Sequence, residues 1–528
     1  MKSSHIGIGI ALALAASSTH AASFTFNHYW SYTHTLNTPS RGSEIAAYDA
    51  ATDKIWVIGG TGVDILDPTA KSLSSSIELS SVGTPNSVAI SNGKAAVALA
   101  APVKTDAGSV RFYDTTSQSL LNSVTVGALP DSVFFTPDGS RALVANEGEP
   151  NSYNQIDSVD PVGSVSIIDT SNYSVQTASF SNYNSQEASL RSQGIRIYGP
   201  NASAAQDLEP EYIAIDETGS KAYVTLQENN AVAIVDIPSA TVNSIIPLGL
   251  KNHNLPGNGL DASDQDGPGT TPLNGNIQNW PVFGMYQPDG IAHFENNGQQ
   301  YIVMANEGDA RAYTGLNEEI RVGNSAYVLD PTVLSDPDQK TNNDKLSRLT
   351  VTNATGDTDG DGDFDQIHVF GARSFTIRDT DGGIVFDSGD QIEQIIKNQY
   401  PLLWQDLRSD NKGPEPEGLT MLKLLDRQLL FLGLERTSSV MVWDITLPAS
   451  PQFLTMLSHA GDLGPEGLTT FTNAQGTFLV VSNEADTSNN LAGVTTLYQI
   501  QGIPEPATLA LFGLALPMLF KISSKKRN

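Results

Sequence analysis

The chain of 528 residues carries a formal net charge of −29 and contains no cysteine, which excludes disulfides, thiolate nucleophiles and cysteine-based zinc sites. So acidic a surface argues against nucleic acid or anionic lipid as a partner and favours cations. With 39% hydrophobic residues the chain can still build a core that needs no covalent staples.

The N-terminus has Lys2, an apolar stretch from Ile6 to Ala16 and small residues up to Ala21 and Ala22. This is the pattern of a secretory signal peptide of the Sec type, assigned to residues 1–22. A single folded domain is expected over 23–502.

Two β-rich units come first, one from Ser43 to Leu79 and one from Pro85-Asn86-Ser87-Val88 to Val126. Five more follow with a sharper signature, in which a Pro-acid pair opens an apolar run and a Glu closes the next run 16 to 18 residues later. The third unit opens at Pro130-Asp131 and closes at Glu147-Gly148-Glu149. The fourth opens at Glu209-Pro210-Glu211 and closes at Glu228, and the fifth opens at Pro288-Asp289 and closes at Glu307-Gly308-Asp309. The sixth runs from Glu415-Pro416-Glu417 to Glu435, and the seventh from Pro465-Glu466 to Glu484.

Between the two acids lies a hairpin pattern, as in Val133-Phe134-Phe135, the turn Pro137-Asp138-Gly139-Ser140, and Ala142-Leu143-Val144-Ala145. A third run then ends in Asp, as in Val165-Ser166-Ile167-Ile168-Asp169. Repeats of roughly 40 to 50 residues built this way are the mark of a propeller blade. Helical folds fail for want of long amphipathic periods. The expected fold is therefore all-β, a seven-bladed β-propeller with an expanded fifth blade between Arg311 and Trp404.

Antiparallel geometry puts the start of a first strand and the end of the second on one face, so ten carboxylates should gather around one channel mouth. Two unit charges ~7 Å apart repel by roughly 0.6 kcal/mol in water and several-fold more at an effective dielectric of ~20. Such a rim needs bound metal or the cations Arg311, Arg373, Lys412 and Arg436. The first two units open with Ser43-Glu44 and Asn86 in place of the Pro-acid pair, so the ring is expected to be open on that side. A plain structural role also suits these acids, because carboxylates at strand ends accept backbone N–H bonds.

Within the fifth unit, Asp357, Asp359, Asp361, Asp363 and Asp365 alternate with Gly360 and Gly362. Oxygens at alternate positions around a tight turn suit a hard cation of six to eight ligands, and calcium is the expected cofactor. The twelfth position is His368, so this is not an EF-hand, and the last ligand is expected from Asp387 or Asp390. A weaker candidate is Asp261-Ala262-Ser263-Asp264-Gln265-Asp266-Gly267.

At the C-terminus, residues 503–528 hold Pro504-Glu505-Pro506, an apolar stretch up to Phe520, and Lys525-Lys526-Arg527. This order closely resembles the PEP-CTERM sorting signal. The resemblance implies processing by an exosortase after transient inner-membrane anchoring through the hydrophobic segment, then residence at the cell surface or in extracellular matrix.

Leu208-Glu209-Pro210-Glu211-Tyr212-Ile213, Met285-Tyr286-Gln287-Pro288-Asp289, Ala305-Asn306-Glu307-Gly308-Asp309-Ala310-Arg311, Phe370-Gly371-Ala372-Arg373-Ser374-Phe375 and Lys412-Gly413-Pro414-Glu415-Pro416-Glu417 together resemble the choice-of-anchor I domain family. The resemblance implies a domain carried on varied surface anchors. Some bacterial relatives bear alkaline-phosphatase-like labels.

Two functions follow. The first is a non-enzymatic, calcium-binding surface or matrix propeller whose acidic mouth recognises a divalent cation, a glycan or a matrix partner. The alternative is a calcium-dependent phosphoesterase, in which rim carboxylates hold metal and Arg311, Arg373 and Arg436 neutralise the phosphoester. The absence of a Lys cluster favours the first. A Ser-His-Asp hydrolase finds no support, since no G-x-S-x-G elbow occurs and the histidines lie outside the repeated motifs.

Overall fold

The repeated units fold into four-stranded antiparallel sheets in which neighbours in sequence are neighbours in space. The computed structural model describes residues 23–35, 42–266, 275–485 and 490–503. The expected signal peptide and the sorting motif at Pro504, Glu505 and Pro506 lie outside the described residues.

Seven such sheets are present, with first strands Ala46–Asp49, Thr84–Ser91, Pro130–Phe135, Ile213–Ile215, Ile291–Asn296, Pro416–Leu424 and Pro465–Asn473. Six of the sheets draw all their strands from one stretch of chain. The seventh takes three strands from the C-terminal end and its outermost from Ser23–Thr33, which pairs with Val494–Ile503. The units counted from Ser43 onward leave this N-terminal strand out. Each first strand packs on the first strand of the next sheet, and the seventh packs on the first, so these contacts run in a cycle.

The middle strands read as continuous apolar runs because both faces of each sheet are covered. Lys54–Gly59 and Lys94–Ala100 are buried at every position after the leading lysine. Apolar layers fill the gaps between consecutive sheets, with Trp56, Val88 and Val97 between the first two and Phe375, Trp443 and Leu432 between the fifth and sixth.

The expansion of the fifth unit differs from the expected single block Arg311–Trp404. Ser374–Asp379 pairs with Gln299–Asn306, and Ile384–Asp387 pairs with Ser374–Asp379. These two strands complete the fifth sheet, so the added chain falls in two stretches, 307–373 and 388–415. A separate five-stranded sheet is built from the first of these together with Leu250–Asn252 and Phe283–Met285. The core of that sheet holds Trp280, Tyr327 and Val351. Helices are few and short, and none among the described residues is long and apolar enough to cross a membrane. Residues Phe26–Ile500 form one compact unit.

Candidate functional site at the acidic mouth

Each Pro-acid opening is a β-bulge. The register gains one residue between Pro130 and Val133, between Pro416 and Leu419, and between Pro465 and Leu468. In the fourth sheet Glu211 N donates to Thr225 O at 3.1 Å while Thr225 N donates to Tyr212 O at 3.0 Å. In the fifth, Asp289 N donates to Ala305 O at 3.2 Å and Ala305 N to Gly290 O at 2.9 Å. The acid is thus the first residue of the bulge, where the strand bends and the side chain is re-aimed. The second bulge residue lies against the next sheet. A Cβ on Gly290 would stand 2.6 Å from Glu417 O, one on Gly418 1.7 Å from Glu466 O, and one on Gly467 2.2 Å from Glu44 O. Ser132 Oγ donates to the Glu211 carbonyl.

Glu44 shares this station. Its N–H donates to Ile58 O at 3.0 Å, and Ile58 N donates to Ile45 O at 2.9 Å. The ring is therefore not open across both early sheets as expected. The station without a carboxylate is Asn86, whose Nδ2 donates to Pro130 O at 3.2 Å. A pair of residues other than Pro-acid can form the same bulge, which is why the motif missed Glu44.

The closing acids stand beside the opening ones because Asn146 pairs with Pro130, Leu434 with Pro416 and Asn483 with Pro465. Three groups bring carboxylate oxygens within 4.8 Å of one another: Glu147/Glu209/Glu228, Asp289/Glu307/Glu417 and Glu307/Glu415/Glu435. Glu484 is exposed. A cavity of ≈ 610 Å³ is lined by Ala46, Ser87, Val133, Ile213, Ile291, Leu419 and Leu468, one from each of the seven four-stranded sheets.

The two sides of the mouth differ in charge balance. On one side Lys412 lies 3.2 Å from both Glu307 and Asp309 and 3.8 Å from Glu415. Arg408 and Arg436 pair with Glu415 at 2.5 and 2.8 Å, and Arg436 also meets Glu435. Burial alone would raise the Glu415 carboxyl, but Lys412, Arg436 and Arg408 hold it below the usual range. On this side Glu417 Oε2 and Glu466 Oε2 stay buried without hydrogen-bond partners, while to Glu307, Asp309 and Glu415 the protein supplies its own cations.

The other side lacks them. Arg311 is fully buried and committed to Asp207 and to Glu209 at 2.7 Å. Glu149 is held by Lys104 at 2.5 Å and accepts a hydrogen bond from Tyr313 at 2.6 Å. Glu209 Oε1, Glu211 Oε2 and Glu228 Oε2 are buried without hydrogen-bond partners. Burial, then Glu228 and Glu147, drive the Glu211 carboxyl well above the usual range. Burial also pushes Glu228 up to about 7 against the pull of Arg311, and burial with Glu149 and Glu44 pushes Asp131 up to about 7. Carboxylates so placed hold protons unless a cation joins them.

Arg373 does not serve the mouth. Its guanidinium is buried against Glu393 at 2.9 Å and against the carbonyls of Asp261, Ser409 and Asn411 at 2.6–2.7 Å. Five donors in a rigid fork suit it to stapling loops, and here it holds the segment that leads to Lys412.

In the Asp-rich loop, Asp357 accepts from Gly360 N at 2.6 Å and Gly362 N at 3.1 Å, and Asp365 accepts from Thr358 N at 2.7 Å. Asp359 and Asp361 accept bonds from backbone N–H two residues on, at 3.2 Å each. Asp363 and Asp365 converge with Asp330, a residue that no local pattern marks. Of the expected extra ligands, Asp387 is occupied elsewhere, because it pairs with Lys251 at 3.4 Å and accepts from Tyr286 at 3.0 Å, and Asp390 lies near Gly259 rather than in the cluster with Asp330. Residues that sequence reasoning passed over at the mouth are Glu44, Lys104, Asp207, Tyr313 and Arg408. They arrive on loops whose meeting depends on the whole fold.

An all-β chain of repeated small sheets with carboxylates gathered at the bulged ends of their first strands defines the class. The choice-of-anchor I domain model matches residues 44–448, and the chain belongs to that family. It is 23% identical over 325 residues to the mesenchyme-specific cell surface glycoprotein of Strongylocentrotus purpuratus, covering 52% of this chain and 41% of that protein. To gigasin-3a of Magallana gigas it is 27% identical over 195 residues, covering 30% of this chain and 66% of that protein. The chain thus spans less than two thirds of the length of either relative. Among solved structures, Kuenenia stuttgartiensis hydrazine synthase aligns with a TM-score of 0.45 at 13% identity, over 88% of this chain and 96% of that one.

Proposed function

We propose that the protein is an exported, surface- or matrix-associated β-propeller of seven blades that binds calcium at its acidic channel mouth and is not an enzyme. The carrying observation is the set of buried, unpartnered oxygens on Glu209, Glu211 and Glu228, beside Glu147. Several carboxylate oxygens converging without a nearby free cation suit a hard divalent ion of high coordination number. The cycle of contacts among seven first strands supports the propeller reading. The Asp-rich loop with Asp330 is a separate calcium site in the same reading.

Surface placement draws on the choice-of-anchor family and on a relative whose name is that of a cell surface glycoprotein. A Sec-type signal, an inner-membrane anchor and exosortase processing belong to the same proposal. The bound ion presents open coordination positions to an anionic glycan or matrix partner. A phosphoesterase is not favoured, because Arg311, Lys412 and Arg436 are already paired with carboxylates, which leaves no cation among them to meet a phosphoryl group.

The test is calcium titration of the chelator-stripped chain by calorimetry, with thermal melting alongside, for the wild type and for Glu211→Gln/Glu228→Gln. The wild type should bind and be stabilised, and the double variant should fold yet lose one class of site. Equal uptake by both would remove the mouth as the site. Calcium-dependent hydrolysis of a phosphomonoester by the wild type would overturn the non-enzymatic reading.

A further inference from the structure

Away from the mouth, Asp261, Asp266 and Asp406 bring three carboxylate oxygens within 4.8 Å of one another. Asp261 has no exposed surface and Asp406 is 9% exposed. Asp261 Oδ2 and Asp266 Oδ1 are buried with no hydrogen-bond partner. Of the remaining oxygens, Ser263 N reaches Asp261 Oδ1 at 3.5 Å and Trp404 Nε1 donates to Asp406 Oδ1 at 3.2 Å, and Ser409 and Asn276 also lie beside the two loop carboxylates.

The surrounding cations are engaged elsewhere. Arg348 forms a two-pronged pair with Asp264 at 2.8 Å and reaches Asp410 at 3.1 Å. Arg321 pairs with Asp410 at 2.5 Å. Arg373 gives NH1 to the Asp261 carbonyl at 2.7 Å, not to its carboxylate. Among the described residues no lysine or arginine forms an ion pair with Asp261, Asp266 or Asp406. Three converging carboxylates with no paired cation, Asp261 fully buried and the other two partly so, need either a shared proton or a metal ion.

We infer that Asp261, Asp266 and Asp406 form a further site for a hard divalent cation, independent of the mouth and of the Asp-rich loop, a clip that pins the 404–411 segment to the 261–266 loop. Oxygen-only donors, two of them on one loop and the third delivered from a distant segment, match what calcium or magnesium requires and thiophilic metals do not. Arg373 already joins the same two segments through the carbonyls of Asp261, Ser409 and Asn411. The pinned segment carries Arg408 and leads directly to Lys412 and Glu415, so the clip sets the position of the cationic side of the mouth. It needs nothing from the uncompensated side around Glu211.

The experiment uses the full chain, stripped with chelator and titrated with calcium, with ions bound per chain read by calorimetry and protection of residues 404–411 read by hydrogen exchange. Asp261→Asn and Asp406→Asn should each lose one bound calcium or bind it at least about tenfold more weakly, and should lose calcium-dependent protection of 404–411. Glu211→Gln should keep that protection. Wild-type calcium number and affinity in both Asn variants would overturn the inference and leave a shared proton as what holds the three acids. If neither Asn variant folds, the wild type alone decides: no calcium-dependent change in exchange at 404–411 refutes the clip, and protection there that survives Glu211→Gln supports it.

Discussion

The carbonyl oxygen of Glu466 lies 1.7 Å from where a Cβ on Gly418 would stand. The sixth sheet therefore touches the seventh through a position that tolerates no side chain, directly beside the rim acid Glu417. Gly418→Ala should force the two sheets apart and cost about 1–3 kcal/mol or more. Urea denaturation is expected to show a lower midpoint with an unchanged slope.

The stability of the metal-free protein should fall as pH rises. Asp131 and Glu228 are pushed up to about 7 and Glu435 to about 8, burial being the largest cause in each. Their unfolded values are near 4, so between pH ~4 and ~8 the folded chain binds more protons than the unfolded one. The stabilisation from these groups is complete below about pH 4 and is lost as pH climbs through 7 to 8. Melting temperatures in chelator should follow that course. Calcium uptake at pH 7 should release protons, which calorimetry in two buffers of different ionisation enthalpy measures.

Arg311 is the counter-ion of a buried pair of acids, Asp207 and Glu209. Arg311→Met would leave both uncompensated, and breaking such a pair from one side costs about 3–5 kcal/mol. Adding Asp207→Asn and Glu209→Gln to that variant should recover much of the loss, a non-additivity that a mutant cycle in urea reads directly.

Deleting residues 23–33 removes the outer strand of the seventh sheet and bares the edge of Val494–Ile503. Unpaired edges template association. The truncated chain should aggregate with concentration, as light scattering would show. His34→Ala should be milder, removing the link between Asp64 and Thr495, each 2.8 Å from the imidazole, and the edge-on contact with Tyr32.

The repeat of small antiparallel sheets and the meeting of opening with closing strand ends were legible because both rest on local chemistry. Pro-Asp-Ser and Pro-Glu-Gly mark a bulge wherever they stand before an apolar run, and the hairpin between opening and closing acid sets their proximity. Glu44 was misread because its bulge forms without proline. Asp330, Asp406 and the partners of Arg311 and Arg373 were not legible, since long-range loop contacts decide them and no spacing in the chain encodes those contacts. The interruption of the fifth expansion by Phe375–Ile377 was hidden for a related reason: an apolar run inside an insertion looks the same whether it pairs within the insertion or returns to the parent sheet.

The sheet that joins Ser23–Thr33 to Pro465–Asn473, Gly476–Asn483 and Val494–Ile503 unites segments separated in the chain by all six other four-stranded sheets. Non-local pairing of this kind must wait for its partner. The other sheets can assemble as they appear, but the seventh stays incomplete until Val494–Ile503 has been made and can meet Ser23–Thr33. Completion of the acidic cluster at Glu466 and Glu484 is tied to the same step, so the mouth closes late in folding, after the other six sheets have formed.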